Sequence, residues 1–137
     1  MLIDAKTMEN RERLRLVRNS LLDLHKSLMD SERISYEKTF GSIPSANHFL
    51  RLVINDPWFA WLHQLSQLIV AMDEALDEKS PLTSPAAETF LQQTRELLFA
   101  SEIEKGFSGH YLQALERDPN VVFAHCTTVK LLRQRFV

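Results

Sequence analysis

Asn55-Asp56-Pro57-Trp58-Phe59-Ala60-Trp61-Leu62 opens the stretch whose reading decides the fold. Asp56 is placed to accept from the orphan N–H groups of a helix start, and Pro57 at the first helical position loses no needed donor. From there Trp58, Leu62, Leu65, Ile69, Met72 and Leu76 recur at steps of 4, 3, 4, 3 and 4. That period belongs to a helix with one apolar side. Asp73, Glu74, Asp77 and Glu78 crowd its C-terminal end, where negative charge opposes the macrodipole. This end must fray or find a cationic partner.

Outward from this helix, every Gly and Pro falls where a helical reading needs a boundary. Upstream, a helix is expected from about Asp4 to Phe40, stopped by Gly41. Its seam is Leu14, Val17, Leu21, Leu24 and Leu28, at steps of 3, 4, 3 and 4, with Leu22, His25, Met29, Glu32 and Tyr36 on the adjacent strip. Pro44 and Ser45 open a short helix from Ala46 to about Ile54, with Phe49, Leu50, Val53 and Ile54 as its apolar side. Downstream, Ser84-Pro85 opens a helix to about Glu104 that turns Ala87, Phe90 or Leu91, Thr94, Leu97 or Leu98, and Ser101 inward, and Gly106 ends it. Phe107 is placed to staple onto Leu112 of a short helix, Gly109 to Glu116. Asp118-Pro119 restarts the chain into a last helix to about Gln134. Its β-branched residues could support a strand, but Val122, Cys126, Val129 and Leu132 keep helical spacing. The expectation is an all-α protein: an up-and-down four-helix bundle with a short connector helix and a broken last helix, in one domain over residues 1–137.

Composition narrows the function classes. The chain is 45% apolar and 25% charged, the profile of a globular protein. A net charge of −2 argues against a dedicated nucleic-acid binder, whose affinity rests on a basic surface. Arg11, Arg15 and Arg18 do form a stripe, but no aromatic lies between them to stack a base, so the stripe reads as a solvated helix face. Three glycines leave no phosphate-cradling loop, and neither a nucleophile elbow nor a zinc-protease motif occurs. No leader or membrane-spanning run is visible, and Cys126 is the single cysteine, so a reducing cytoplasm is the simple expectation. Cys126 itself reads as a small core residue.

Five histidines, His25, His48, His63, His110 and His125, raise the question of a metal. A chelating pair on one helix needs spacing of three or four, and no histidine has a carboxylate or a second histidine at that distance. A ligand site would have to gather His25, Glu32, Tyr36, His63 and His125 from several helices around an interior cavity; no cofactor and no metal are expected. Trp58, Phe59 and Trp61 concentrate three rings in one turn, either as an interface anchor or as filling for the wide end of the bundle. Of these, Phe59 points away from the seam and is expected to face a partner.

Three stretches, Leu24-His25-Lys26-Ser27-Leu28 through Asp30, Glu32 and Arg33, then Asn55 to Leu62, then Arg117-Asp118-Pro119-Asn120-Val121-Val122 through Ala124-His125, resemble a family of small bacterial all-helical proteins. The resemblance spans roughly residues 20 to 127. It implies a bacterial, cytoplasmic origin and carries over no activity, cofactor or substrate. The functional expectation is a non-enzymatic bundle acting through protein contacts, as a homodimer or with another protein partner, with neither nucleic acid nor membrane. The alternative is a bundle that binds a metal or a small ligand through the five residues named above.

Overall fold

The structure is a computed structural model that describes residues 5–77, 79, 81–99 and 107–133. Every regular element among the described residues is helical. They are α1 (Ala5–Phe40), α2 (Ala46–Asn55), a 3-10 segment (Pro57–Leu62), α3 (His63–Asp77), α4 (Ser84–Leu98), α5 (Phe107–Arg117) and α6 (Pro119–Arg133). No helix among them is long and apolar enough to cross a membrane.

Side-chain and glycine caps set most of the boundaries. Ser45 accepts from the His48 N–H at 3.0 Å, Asp56 from Trp58 at 2.9 Å, Thr83 from Ala86 at 3.2 Å and Asp118 from Asn120 at 2.9 Å. Gly41 ends α1 with φ +91°, a backbone conformation that a side chain would strain, and its N–H bonds the Glu37 carbonyl. The Glu37 carboxylate then accepts from the Ile43 N–H at 2.9 Å and holds the turn that follows.

At 36 residues, α1 is about 54 Å long and forms the spine of the molecule. Its expected seam is fully internal: Leu14, Val17, Leu21, Leu24 and Leu28 are buried against Leu62, Leu65, Met72, Leu91 and Val121. Each such side chain stabilises by about 1.5–3 kcal/mol relative to exposure. Polar ties fix direction and register along this spine. Arg11, Arg18 and His25 meet the Leu76 carbonyl, Asp73 and Ser66 in that order, so α3 runs antiparallel to α1. Ser20 meets Thr128 of α6, and Ser31 meets Arg117, the last residue of α5 just before α6 begins, so α6 also runs against α1. Asn10 meets Ser84, which starts α4 beside the N-terminal end of α1.

These ties answer the question left by the acidic end of α3. Arg11 donates to the terminal carbonyl of Leu76 at 2.8 Å, and Arg18 pairs with Asp73. Two members of the arginine stripe are therefore interhelical ties, which corrects the solvated-face reading. Only Arg15, bonded to Glu12 one turn away on the exposed side, behaves as that reading expects. Arg95 repeats the device by donating to the Leu132 carbonyl at 3.0 Å near the end of α6.

Five expectations need correction. Phe59 is completely buried, 0% exposed, rather than facing a partner. Residues 57–62 form a 3-10 helix, not the first turn of α3. At three residues per turn Phe59 and Leu62 eclipse on one line that Leu65 continues into the core. Cys126 is exposed, and so is Val122. The inner side of α6 is Val121, Thr128 and Leu132, because Thr128 satisfies its hydroxyl on the Ala124 carbonyl and on Ser20 and so can be buried. α4 ends at Leu98, where Phe99 leaves helical geometry, and the rest of the expected helix, 100–104, lies outside the described residues. Its inner side is otherwise as expected, Ala87, Leu91, Thr94 and Leu98, while Ser101 and Gly106 lie outside the described residues. Phe107 lies inside α5, so it does not staple from outside; it stacks on Tyr111 at 5.4 Å and packs on Trp61 at 5.2 Å.

Candidate functional site

The far end of α1 is an aromatic platform. Tyr36 is its hub, 4.8 Å from Phe40, 5.8 Å from Trp58 and 5.6 Å from Phe59 between ring centroids. Phe49 of α2 meets Phe59 edge-on at 5.7 Å, and the Arg33 guanidinium sits 4.9 Å over the Phe49 ring. Trp61 turns the other way and stacks on His110 of α5 at 5.3 Å. The indole N–H groups of Trp58 and Trp61 have no acceptor among the described residues, so ring packing holds both. The three rings singled out by sequence therefore serve the interior: Phe59 and Trp61 are buried and Trp58 is half-buried.

What this platform supports is α2, and α2 is unusual. It is strongly two-sided, yet none of its residues is buried. Phe49, Leu52 and Val53 lean on the core, and His63 Nε2 hydrogen-bonds the Val53 carbonyl at 3.0 Å. Leu50 and Ile54, one turn apart, remain 57% and 56% exposed. The expected apolar side was thus half right, because only one edge of the apolar arc finds a neighbour. Arg51 is the only charged residue on the helix and makes no ion pair among the described residues. A shallow depression of about 330 Å³ lies beside it, lined by His48, Arg51, Leu52, Asn55, Asp56 and Pro57. Phe40, at the end of α1, adds a further exposed ring at 63%.

The five candidate ligand residues each have a different set of neighbours. His25 Nε2 bonds the Ser66 hydroxyl at 2.7 Å, and His63 bonds the Val53 carbonyl. Glu32 accepts from Arg117 at 2.8 Å, and Tyr36 is held among rings. His125 Nδ1 lies 2.5 Å from the Tyr111 hydroxyl, with Phe99 edge-on to its ring. Among the described residues no hydrogen bond, ion pair or ring contact joins any two of the five. Among the described residues no group of three His, Cys, Asp or Glu side chains is arranged to hold a metal ion.

Electrostatics suit these structural pairings. Burial lowers the pKa of His25 and of His125 and so favours the neutral rings. Burial, aided by Cys126, pushes the Tyr111 phenol well up, so it stays protonated and shares a hydrogen bond with His125 Nδ1. Sequence reasoning missed the partners Ser66, Tyr111 and Arg117, because a hydroxyl or a guanidinium carries no signal of its tertiary contact. It also missed a shallow groove of about 320 Å³ between α3 and α4, lined by Leu68, Ala71 and Leu97 together with Gln64, Gln67 and Gln93.

No family model, no curated protein and no solved structure matches the chain.

Proposed function

We propose that this chain acts through protein contacts rather than by catalysis, as a homodimer in a bacterial cytoplasm, on an up-and-down four-helix bundle of α1, α3, α4 and α6. One observation carries the reading: α2 is a short two-sided helix propped on an aromatic platform with Leu50 and Ile54 left bare. Exposed apolar side chains cost free energy in water, about 25 cal/mol per Å², and burial against a partner recovers it. The platform makes α2 stiff, so little ordering entropy opposes docking.

Size-exclusion chromatography with light scattering tests the reading on the wild type and on Leu50→Asp. The expected result is a concentration-dependent dimer that Leu50→Asp converts to monomer with its circular dichroism unchanged. A wild type that stays at the 15.9-kDa chain mass at every concentration overturns the homodimer.

A further inference from the structure

We infer that the occupant of the bare α2 strip is the α3–α4 groove of a second copy of this chain, each copy giving α2 and receiving its partner's. The inference rests on the protein-contact reading above and adds which surface meets which.

Charge decides between the possible pairings. Arg51 lies between Leu50 and Ile54 in sequence, on the exposed side of a helix that carries no acid. Two α2 helices packed on each other would set Arg51 against its own copy or against Asp56 beside it, whose carboxylate already accepts from the Trp58 N–H, so that pairing offers Arg51 at best an acid that is already engaged. A surface that brings unpaired carboxylates suits Arg51 better.

The exposed side of α3 brings two. Val70, Glu74 and Asp77 fall at i, i+4 and i+7 on one face, all exposed, and neither acid is in an ion pair among the described residues. Alongside runs the shallow groove between α3 and α4, whose lining includes the apolar Leu68, Ala71 and Leu97. A two-sided helix laid in such a groove places its apolar anchors against that lining and its cation toward the acids at the end. Leu50 and Ile54, one turn apart, are the anchors, and Arg51 is the cation. A two-fold arrangement uses both surfaces on both copies and leaves neither open, whereas a head-to-tail arrangement would continue into a chain.

Two charge reversals test the pairing by light scattering. Arg51→Glu alone, and Glu74→Lys with Asp77→Lys, should each weaken dimerisation by about tenfold or more, because each homodimer then holds two like-charge contacts. Mixed together, the two variants should recover a species of twice the 15.9-kDa chain mass, since in the heterodimer one contact is wild type and the other is fully reversed. Mixed variants that stay monomeric, or that grow beyond a dimer, overturn the inference. A dimer broken by Leu50→Asp but indifferent to both charge variants overturns the α3–α4 pairing while the protein-contact reading stands. A monomeric wild type overturns both.

Discussion

Arg117, at the end of α5, reaches Glu32 on α1 with an N–O distance of 2.8 Å and also donates twice to the Ser31 hydroxyl. The two ends of this ion pair are not equivalent. The Glu32 side chain is 7% exposed, whereas that of Arg117 is 34% exposed. The carboxylate is therefore the group that depends on its partner, because a buried charge left alone has no water to replace the lost bonds.

Arg117→Ala is expected to destabilise the fold by about 3 kcal/mol, the lower end for a broken buried pair, because the guanidinium itself is partly in water. Glu32→Gln in the same background should recover part of that loss by removing the orphaned charge. Urea denaturation of the single and double variants reads both effects. An Arg117→Ala protein as stable as the wild type would show that Glu32 finds water or another donor.

Ser20 of α1 and Thr128 of α6 form the matching neutral tie, hydroxyl to hydroxyl, and both residues are buried. Thr128 keeps a second bond to the Ala124 carbonyl, so its partner Ser20 is the one left short when the pair is broken. Thr128→Val keeps the shape and is expected to cost about 1–3 kcal/mol by stranding the Ser20 hydroxyl. Adding Ser20→Ala should bring the double variant back toward wild type, since two apolar groups leave nothing unsatisfied. A double-mutant cycle on the denaturation free energies measures the coupling, and additive losses would contradict it.

Local grammar was legible in the chain, and tertiary choice was not. Asp56-Pro57 and Asp118-Pro119 start elements at Pro57 and Pro119 because a cap is satisfied within three residues. The α1 seam was readable because five apolar residues in strict register leave one way to turn the helix. By contrast, Val122, Cys126 and Val129 made a plausible face for α6. Thr128 took the inside because Ser20 was waiting on another helix, a fact no local window contains. Phe59 misled for a different reason: counting 3.6 residues per turn through a 3-10 segment rotates each successive side chain away from its true place. Three of the candidate ligand residues, His25, Glu32 and His125, take Ser66, Arg117 and Tyr111 as partners, tertiary contacts with no local signature. The bare strip on α2 was half visible, since the breadth of its apolar arc was in the sequence but the covered edge was not.

Stability should depend on pH through two imidazoles. Burial lowers His25 and His125 from their ordinary 6.5. In the unfolded chain both return to that value, so below about pH 6.5 the unfolded state binds more protons than the folded state and stability rises with pH. The contribution is complete above 6.5 and is lost as pH falls through 6.5 toward the lowered folded values. At both rings the cause is burial, which disfavours the charged form. The urea midpoint of the wild type is expected to drop between pH 7 and pH 5, and to drop less in the His25→Gln, His125→Gln double variant. Equal drops in the two proteins would remove both histidines from the account.

Phe40 and Phe59 offer a sharper test, since both rings touch Tyr36, at centroid distances of 4.8 and 5.6 Å. If ring contact set the energetics, the closer pair, Phe40 with Tyr36, would matter more. If area removed from water sets it, Phe59 at 0% exposure must far outweigh Phe40 at 63%. Phe59→Ala should therefore cost about 3–5 kcal/mol, the transfer term plus a cavity beneath Phe49, Tyr36 and the 3-10 segment. Phe40→Ala should cost about 1 kcal/mol, the worth of an aromatic pair at a mostly wet site. Guanidinium denaturation of the two variants separates the accounts. Phe59→Ala should also loosen α2, because Phe49 loses the ring it leans on, so the amide protons of residues 49–54 should exchange faster with solvent than in the wild type. Normal protection of α2 in a destabilised Phe59→Ala protein would mean that the His63 bond to the Val53 carbonyl, rather than the aromatic platform, keeps this helix in place.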